Sequence, residues 1–281
     1  MIAVTGATGQ LGRLVIKALV ARGAASQIVA LARNPDKSAD LGVPARAFDY
    51  SRPETLAPAL QGVDTLLLIS GSEAGQRAAQ HANVIAAAKQ AGVQHIVYTS
   101  LLHADISPIS LAEEHRQTEA DLAASGLAVT ILRNGWYTEN YTRSLKGAVA
   151  NGAVAGSVGN GKLATASRAD LAEAAANVVL APAAHAGRTY ELAGAPYTLG
   201  DLAAETARQS GSPVAYNDLP QADYAELLEG VGLPVPAAKM IASADAAAAK
   251  GALFDDSGDL ETLLGRPATP LSEAVRTALA A

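Results

Sequence analysis

The sequence predicts an α/β protein with a doubly wound parallel sheet and a smaller C-terminal α/β lobe. Three observations carry this expectation. Short apolar runs alternate with helical patterns from the first residues onward, the first run leads straight into a turn holding three glycines, and the alternation weakens from about residue 135. Strands buried on both faces of a parallel sheet read as continuous apolar runs, and the helices between them supply the right-handed crossovers. Such a sheet is Rossmann-type, and its ligand site lies outside the carboxyl ends of the strands.

The first run is Ile2 to Val4. After the turn VTGATGQLG (residues 4–12), Leu11, Leu14, Val15, Ala18 and Leu19 recur at helical spacing. The next runs are Gln27 to Leu31, Ala45 to Phe48, Thr65 to Ile69, His95 to Thr99 and Ala128 to Leu132. Helical patterns lie between them, clearest over Gln76 to Ala91 and Leu111 to Ala124. Past Gly135 a glycine-rich stretch, AVANGAVAGSVGNGK at 148–162, interrupts the pattern. A helix from Asp170 to Leu180, N-capped by Asp170, and a strand from Arg188 to Leu192 then return to the sheet. Helices near 199–210, 221–230, 236–250 and 257–280 complete the small lobe. The expected division is a Rossmann domain over 1–134, with about 163–193 returning to it, and a smaller lobe over most of 135–281. There is no internal repeat.

Composition narrows the function. A net charge of −6 offers no basic surface for nucleic acid. The first strand starts at residue 2, which leaves no room for a cationic leader, and no apolar run reaches the length of a membrane span. The expectation is a soluble, cytoplasmic protein without direct nucleic-acid or membrane partners. With no cysteine, disulfide and thiolate chemistry are excluded, and His81, His95, His103, His115 and His185 show no metal-ligand spacing. No metal is expected.

Gly6, Gly9 and Gly12 between a buried strand and a helix suit a phosphate or pyrophosphate. Backbone N–H groups and the positive end of the helix dipole converge there, and a Cβ would block close approach. The GxxGxxG spacing departs from the commoner GxGxxG and points to short-chain or extended reductases. At the end of the second strand, LARNPDK places Arg33 where an acid would hold the ribose 2′-hydroxyl of NADH. A guanidinium binds a 2′-phosphate that a carboxylate would repel, so NADPH is preferred, with NADH weaker. Asp36, after Asn34 and Pro35, is expected to cap the following turn.

Ordinary short-chain reductases take their proton from a Ser with Tyr-x-x-x-Lys. Ser100 ends the fifth strand at a suitable place, yet LAEEHRQTEADL carries His115 and Glu119 and no Tyr-x-x-x-Lys. Without that relay a basic alkoxide is a poor product, whereas a quinone yields a phenolate-type anion with a pKa of roughly 10, like tyrosine. The sequence therefore suits a quinone or similar planar acceptor. RNGWYTENY (133–141) gathers Trp136, Tyr137 and Tyr141 in a chain with one Trp, eight Tyr and two Phe. These rings either stack on a planar ligand or wedge the second lobe against the first. Asn140 can donate to an acceptor carbonyl. Ser70, Gly71, Ser72 and Glu73, past the fourth strand, lie along the nicotinamide ribose or form a plain polar loop. His103 faces the pocket or serves its loop, and Arg168 is a cofactor partner or a first-turn surface charge.

VTGATGQLG, VALARNPDK, LQGVDTLLLISGSEAGQR, QHIVYTSLLHAD and LRNGWYTENY together resemble the NAD(P)H:quinone oxidoreductase type 2 proteins of the NmrA-like atypical short-chain reductase family. The resemblance spans essentially the whole chain, and LLHAD and RNGWYTENY are its most specific parts. It implies NADPH held by Gly6, Ala7, Thr8, Gly9, Gln10 and Leu11 together with Arg33, and direct hydride transfer to quinones without flavin. It also implies cofactor contacts from Gly71, Ser72 and Glu73, from Tyr137, Thr138, Glu139 and Asn140, and from Arg168. Tyr137, Asn140 and His103 are the candidates for acceptor chemistry, and a homodimer is compatible with the sequence. Relatives in that branch include triphenylmethane-dye reductases and non-catalytic NADP(H)-binding redox sensors, which stand as the alternative functions.

Overall fold

The computed structural model describes residues 1–281. Its strands are β1 (Ile2–Val4), β2 (Ile28–Ala32), β3 (Ala45–Ala47), β4 (Thr65–Ile69), β5 (His95–Leu101), β6 (Ala128–Asn134), β7 (Ala153–Gly156), β8 (Thr189–Leu192) and β9 (Ala215–Asp218). Seven of them form one parallel sheet in the order β3-β2-β1-β4-β5-β6-β8. The order reverses between β1 and β4, so a crevice opens beyond the carboxyl ends of these strands.

Side-chain alternation explains why the strands read as solid apolar runs. Val4, Leu67, Val97 and Leu132 face the layer made by the helices Gln10–Ala21, Arg168–Leu180 and Asp259–Leu264. Their neighbours Ala3, Leu66, Leu68, Ile96 and Tyr98 face the layer built on Leu56–Ala59 and Arg77–Ala91. Both faces are covered, as a parallel sheet requires. A third core, holding Tyr141, Leu145, Leu163, Leu199, Leu202 and Ala248, belongs to the C-terminal lobe. No helix is long and apolar enough to cross a membrane.

Four local expectations are corrected. The glycine-rich stretch begins in the last turn of the helix Leu145–Asn151 and contains β7, which pairs in parallel with β9 to form a separate two-stranded sheet. The span 257–280 is two helices, Asp259–Leu264 and Leu271–Ala280, because Gly265 takes φ +69° and Pro267 and Pro270 follow. Ser167, not Asp170, caps Arg168–Leu180: its hydroxyl accepts from the Asp170 N–H at 3.0 Å. Asp170 lies inside that helix and accepts from Thr269 N and Arg266 Nη2, both at 2.8 Å, which ties the C-terminal segment to the sheet layer. Asn34 likewise replaces Asp36 as the cap of the 3-10 turn Pro35–Leu41.

A row of rings crosses the layer between β5 and its covering helices: Phe48, Tyr50, His81, Tyr98 and His115, with successive centroids 5.4 to 5.9 Å apart. Tyr98 Oη and His115 Nδ1 are 2.7 Å apart. Burial first, and the Arg77 charge second, push His81 and His115 from the ordinary 6.5 down to about 3. Both rings are neutral in the fold and protonate when the chain unfolds below pH 6.5. Stability is therefore fully present above pH 6.5 and is lost as pH falls towards 3, by about 2 kcal/mol per ring at pH 5. Urea denaturation at pH 7 and pH 5 measures this: the midpoint should drop clearly at pH 5, and equal midpoints would show that the rings are charged in the fold.

Candidate functional site

The crevice is a cleft of about 410 Å³. Its floor is the turn after β1, lined by Gly6, Thr8, Gly9, Gln10, Leu11 and Gly12. Gly6 adopts φ +57°, which a side chain resists. A Cβ on Gly12 would stand 2.3 Å from the Gly6 carbonyl oxygen and 2.9 Å from Ala7 Cα, so only glycine lets the helix start this close to the turn. The N–H groups of Thr8, Gln10, Leu11 and Gly12 have no backbone acceptor. The helix has no side-chain cap and no acid in its first turn. Free donors, a positive dipole end and the absence of a competing carboxylate fit an anionic diphosphate.

The walls come from successive strand ends. Ala32 ends β2 and Arg33 follows it, Phe48, Asp49 and Tyr50 follow β3, and Ile69 ends β4 with Ser70 to Glu73 beyond it. Arg33 Nη1 meets Glu73 Oε1 at 3.0 Å, an exposed pair that bridges the cleft between the ends of β2 and β4. Only one of the guanidinium's five N–H donors is used in that contact. Tyr50 Oη, 2.5 Å from Thr5 Oγ1, donates at 2.8 Å to the Ile69 carbonyl and fixes the ring against the β1 turn.

Tyr137 and Arg168 line the far side. A short parallel bridge, with Thr138 N donating to Ala166 O and Ala166 N to Trp136 O, brings the segment before Arg168 alongside Tyr137. The Arg168 guanidinium then lies 4.1 Å from the centroid of the Tyr137 ring. Its backbone N–H and side chain hold the Glu139 carboxylate, and Nη2 donates to Asn140 Oδ1 at 3.3 Å. With Oδ1 so used, Asn140 Nδ2 is the amide group left to donate outward. Burial raises the Tyr137 phenol, while the Arg168 charge and Asn134 oppose the rise, so the hydroxyl keeps its proton at neutral pH.

Most residues expected at the site meet here: Gly6, Thr8, Gly9, Gln10, Leu11, Arg33, Ser70, Gly71, Ser72, Glu73, Tyr137 and Arg168. Ala7 is buried under the turn, its N–H donating to the Leu31 carbonyl. Thr138 is also buried, with its hydroxyl 2.8 Å from that of Thr165, and Glu139 and Asn140 border the cleft through Arg168. His103 does not line the cleft. It has φ +51°, its N–H donates to Glu191, and its Nε2 lies 3.0 Å from the Phe254 carbonyl, so it fastens a loop. Ser100 donates to Glu119 at 2.5 Å, and Glu119 holds Arg133 in a two-toothed pair, so neither belongs to a proton relay. Of the aromatic group, Tyr137 alone lines the cleft, while Trp136 and Tyr141 pack into the lobe. Phe48, Asp49, Tyr50 and Gln80 also line the cleft; for Asp49 and Tyr50 the signal in the sequence is their position just after the third apolar run.

Gly12→Ala is expected to lower stability by about 2 kcal/mol, because the three nearest atoms the new methyl meets all belong to the backbone. Urea denaturation checks this, and an unchanged midpoint would mean that the turn has slack.

Comparison with known proteins gives consistent matches. Residues 6–182 match a family described as NAD(P)H-binding. Quinone oxidoreductase 2 of Escherichia coli (strain K12) is 55% identical over 279 residues, 98% of this chain and 97% of that protein. The crystal structure of the E. coli NADPH-dependent quinone oxidoreductase in complex with NADPH superposes with a TM-score of 0.96 at 54% identity, covering 99% of this chain and 100% of that one. Triphenylmethane reductase from Citrobacter sp., complexed with NADP(H), gives 0.95 at 39% identity, over 99% of this chain and 100% of that one.

Proposed function

The chain belongs to the NAD(P)H-binding family, in the NmrA-like branch that contains the type 2 quinone oxidoreductases, and on that premise we propose that it is an NADPH-dependent reductase of quinones or similar planar acceptors working without flavin. The observation that carries the reading is one cleft holding an anion-binding glycine turn, the Arg33 guanidinium and the Tyr137–Arg168 pair. The nicotinamide, when bound, supplies the hydride. Thr8, Gln10, Leu11 and Gly12 offer N–H groups to the diphosphate, and Arg33 offers its remaining donors to a 2′-phosphate. Tyr137 and Asn140 present a phenol and an amide N–H to the acceptor. A hydroquinone oxygen, with a pKa of roughly 10, is stabilised by a hydrogen bond from such a phenol and takes its proton from water without a Tyr-x-x-x-Lys relay. On this reading the enzyme works in the cytoplasm, where NADPH is supplied.

Purified, flavin-free protein should oxidise NADPH at 340 nm with quinones far faster than with simple ketones, with NADH as the poorer donor. Tight NADPH binding with no turnover of quinones or triphenylmethane dyes would replace the reductase by a redox sensor. Arg33→Ala should weaken NADPH binding about tenfold and leave NADH nearly untouched, which titration calorimetry resolves. Tyr137→Phe and Asn140→Ala should each lower the quinone rate at saturating NADPH by about tenfold. Unchanged rates would remove both residues from the acceptor site.

A further inference from the structure

Gly71, on the β4 side of the cleft, has both of its peptide groups taken by the helix Arg77–Ala91. Its N–H donates to His81 Nε2 at 3.0 Å, and its carbonyl accepts from Arg77 Nε at 2.8 Å. The rest of the loop hangs from the same region: Ser70 N donates to Thr99 Oγ1, and Gln80 Nε2 donates to Glu73. A Cβ on Gly71 would stand 3.0 Å from Gln80 Oε1, so a larger residue there would crowd the Gln80 side chain.

We propose that His81 is a positioning residue for the cofactor, holding the Ser70–Glu73 loop in its binding geometry through the Gly71 amide. The donor order around the ring is fixed. Thr118 Oγ1, 3.0 Å from His81 Nδ1, gives its own proton to the Glu114 carbonyl, so it accepts from Nδ1–H. Nε2 is then unprotonated and faces the Gly71 N–H. A protonated ring would set two N–H groups against each other. The ring is fully buried, edge-on to Tyr50 and Tyr98, and burial with the Arg77 charge keeps it neutral. Arg77 is itself held by Glu114, the residue whose carbonyl ends the Thr118 chain. The helix Arg77–Ala91 thus clamps the two peptide groups that flank Gly71, and its His81 and Arg77 are held in turn by Thr118 and Glu114 of the helix Ala112–Ala123.

Sheet order says which part of the dinucleotide depends on this loop. Arg33 follows β2, the glycine turn follows β1, and the loop follows β4, on the side towards β5, β6 and Tyr137. Gly71, the residue that His81 holds, therefore serves the nicotinamide half, while Glu73 at the loop's far end reaches back to Arg33. This inference rests on the NADPH reading of the cleft.

The test is titration calorimetry of NADPH and of the fragment 2′,5′-ADP, which lacks the nicotinamide half, with wild type, His81→Phe and His81→Gln. His81→Phe keeps a flat ring and removes the acceptor. It should weaken NADPH about tenfold and the fragment less than about threefold. His81→Gln, whose Oε1 can accept from Gly71, should restore NADPH binding to within about threefold of wild type. If His81→Phe does not fold, Thr118→Val, nearly isosteric, frees the ring's other nitrogen and should show the same selectivity. Unimpaired NADPH binding in the folded acceptor-less variant, or equal losses for both ligands with no rescue by glutamine, would overturn the proposal. A wild type that binds no NADPH would instead overturn the cofactor reading and this inference with it.

Discussion

The close approach of Gly12 to the Gly6 carbonyl governs the rest of the molecule. With no side chain at residue 12, the helix Gln10–Ala21 begins directly on the turn, and its unpaired N–H groups gather at the cleft floor. The same closeness sets the helix against the sheet, where Leu11, Val15, Ile16 and Leu19 join the core shared with Arg168–Leu180. Site and fold are thus one constraint. A larger residue at position 12 would disturb a ligand surface and a packing layer together.

Around that floor the protein holds its polar groups by strand-end placement and buried partners. Arg33 and Glu73 cross the cleft, and Arg168 binds Tyr137, Glu139 and Asn140 at once. Arg133 is enclosed by Glu119, Glu191 and Asp105 under the strand ends, and it consumes the carboxylate that Ser100 also meets. Paired charges of this kind are costly to break, so this region is stiff and unsuited to shuttling protons. The chemistry is left to the groups that line the cleft.

What was legible in the sequence was local. Apolar runs marked the strands of the large sheet, and the glycine turn and Arg33 were found because each is a few residues from a strand end. Asp49 and Tyr50 followed the same rule and were open to the same reading. The β7–β9 sheet was not legible, since AVAG offers little side-chain signal and its partner strand begins about sixty residues later. The break at Gly265 to Pro270 did carry its signal in Gly and Pro, outweighed by the helical composition on either side. His81 had none. Its role depends on Gly71 and Thr118, which share no sequence pattern with it and meet it only through packing. His103 shows the converse, a conspicuous loop residue whose partners across the fold, Glu191 and Phe254, assign it a fastening role.

The lobe also bears on the site through a buried acid. Tyr141, four residues after Tyr137, donates to Asp245 Oδ1 at 2.8 Å, and Ser157 N donates to Oδ2 at 3.2 Å. Burial raises the Asp245 carboxyl to about 6, against the opposing pull of these two donors. A carboxyl raised in this way costs stability progressively as pH climbs from its ordinary 3.8 to about 6, and fully above that, so burying this acid is a net expense at neutral pH that its two donors only reduce. What it secures is position. Asp245 sits on Val235–Ala248, Ser157 follows β7, and Tyr141 belongs to the segment that carries Tyr137 and Asn140. One carboxylate therefore joins three parts of the lobe behind the cleft's far wall. That wall must be fixed from behind, because its front is the surface left open to a ligand.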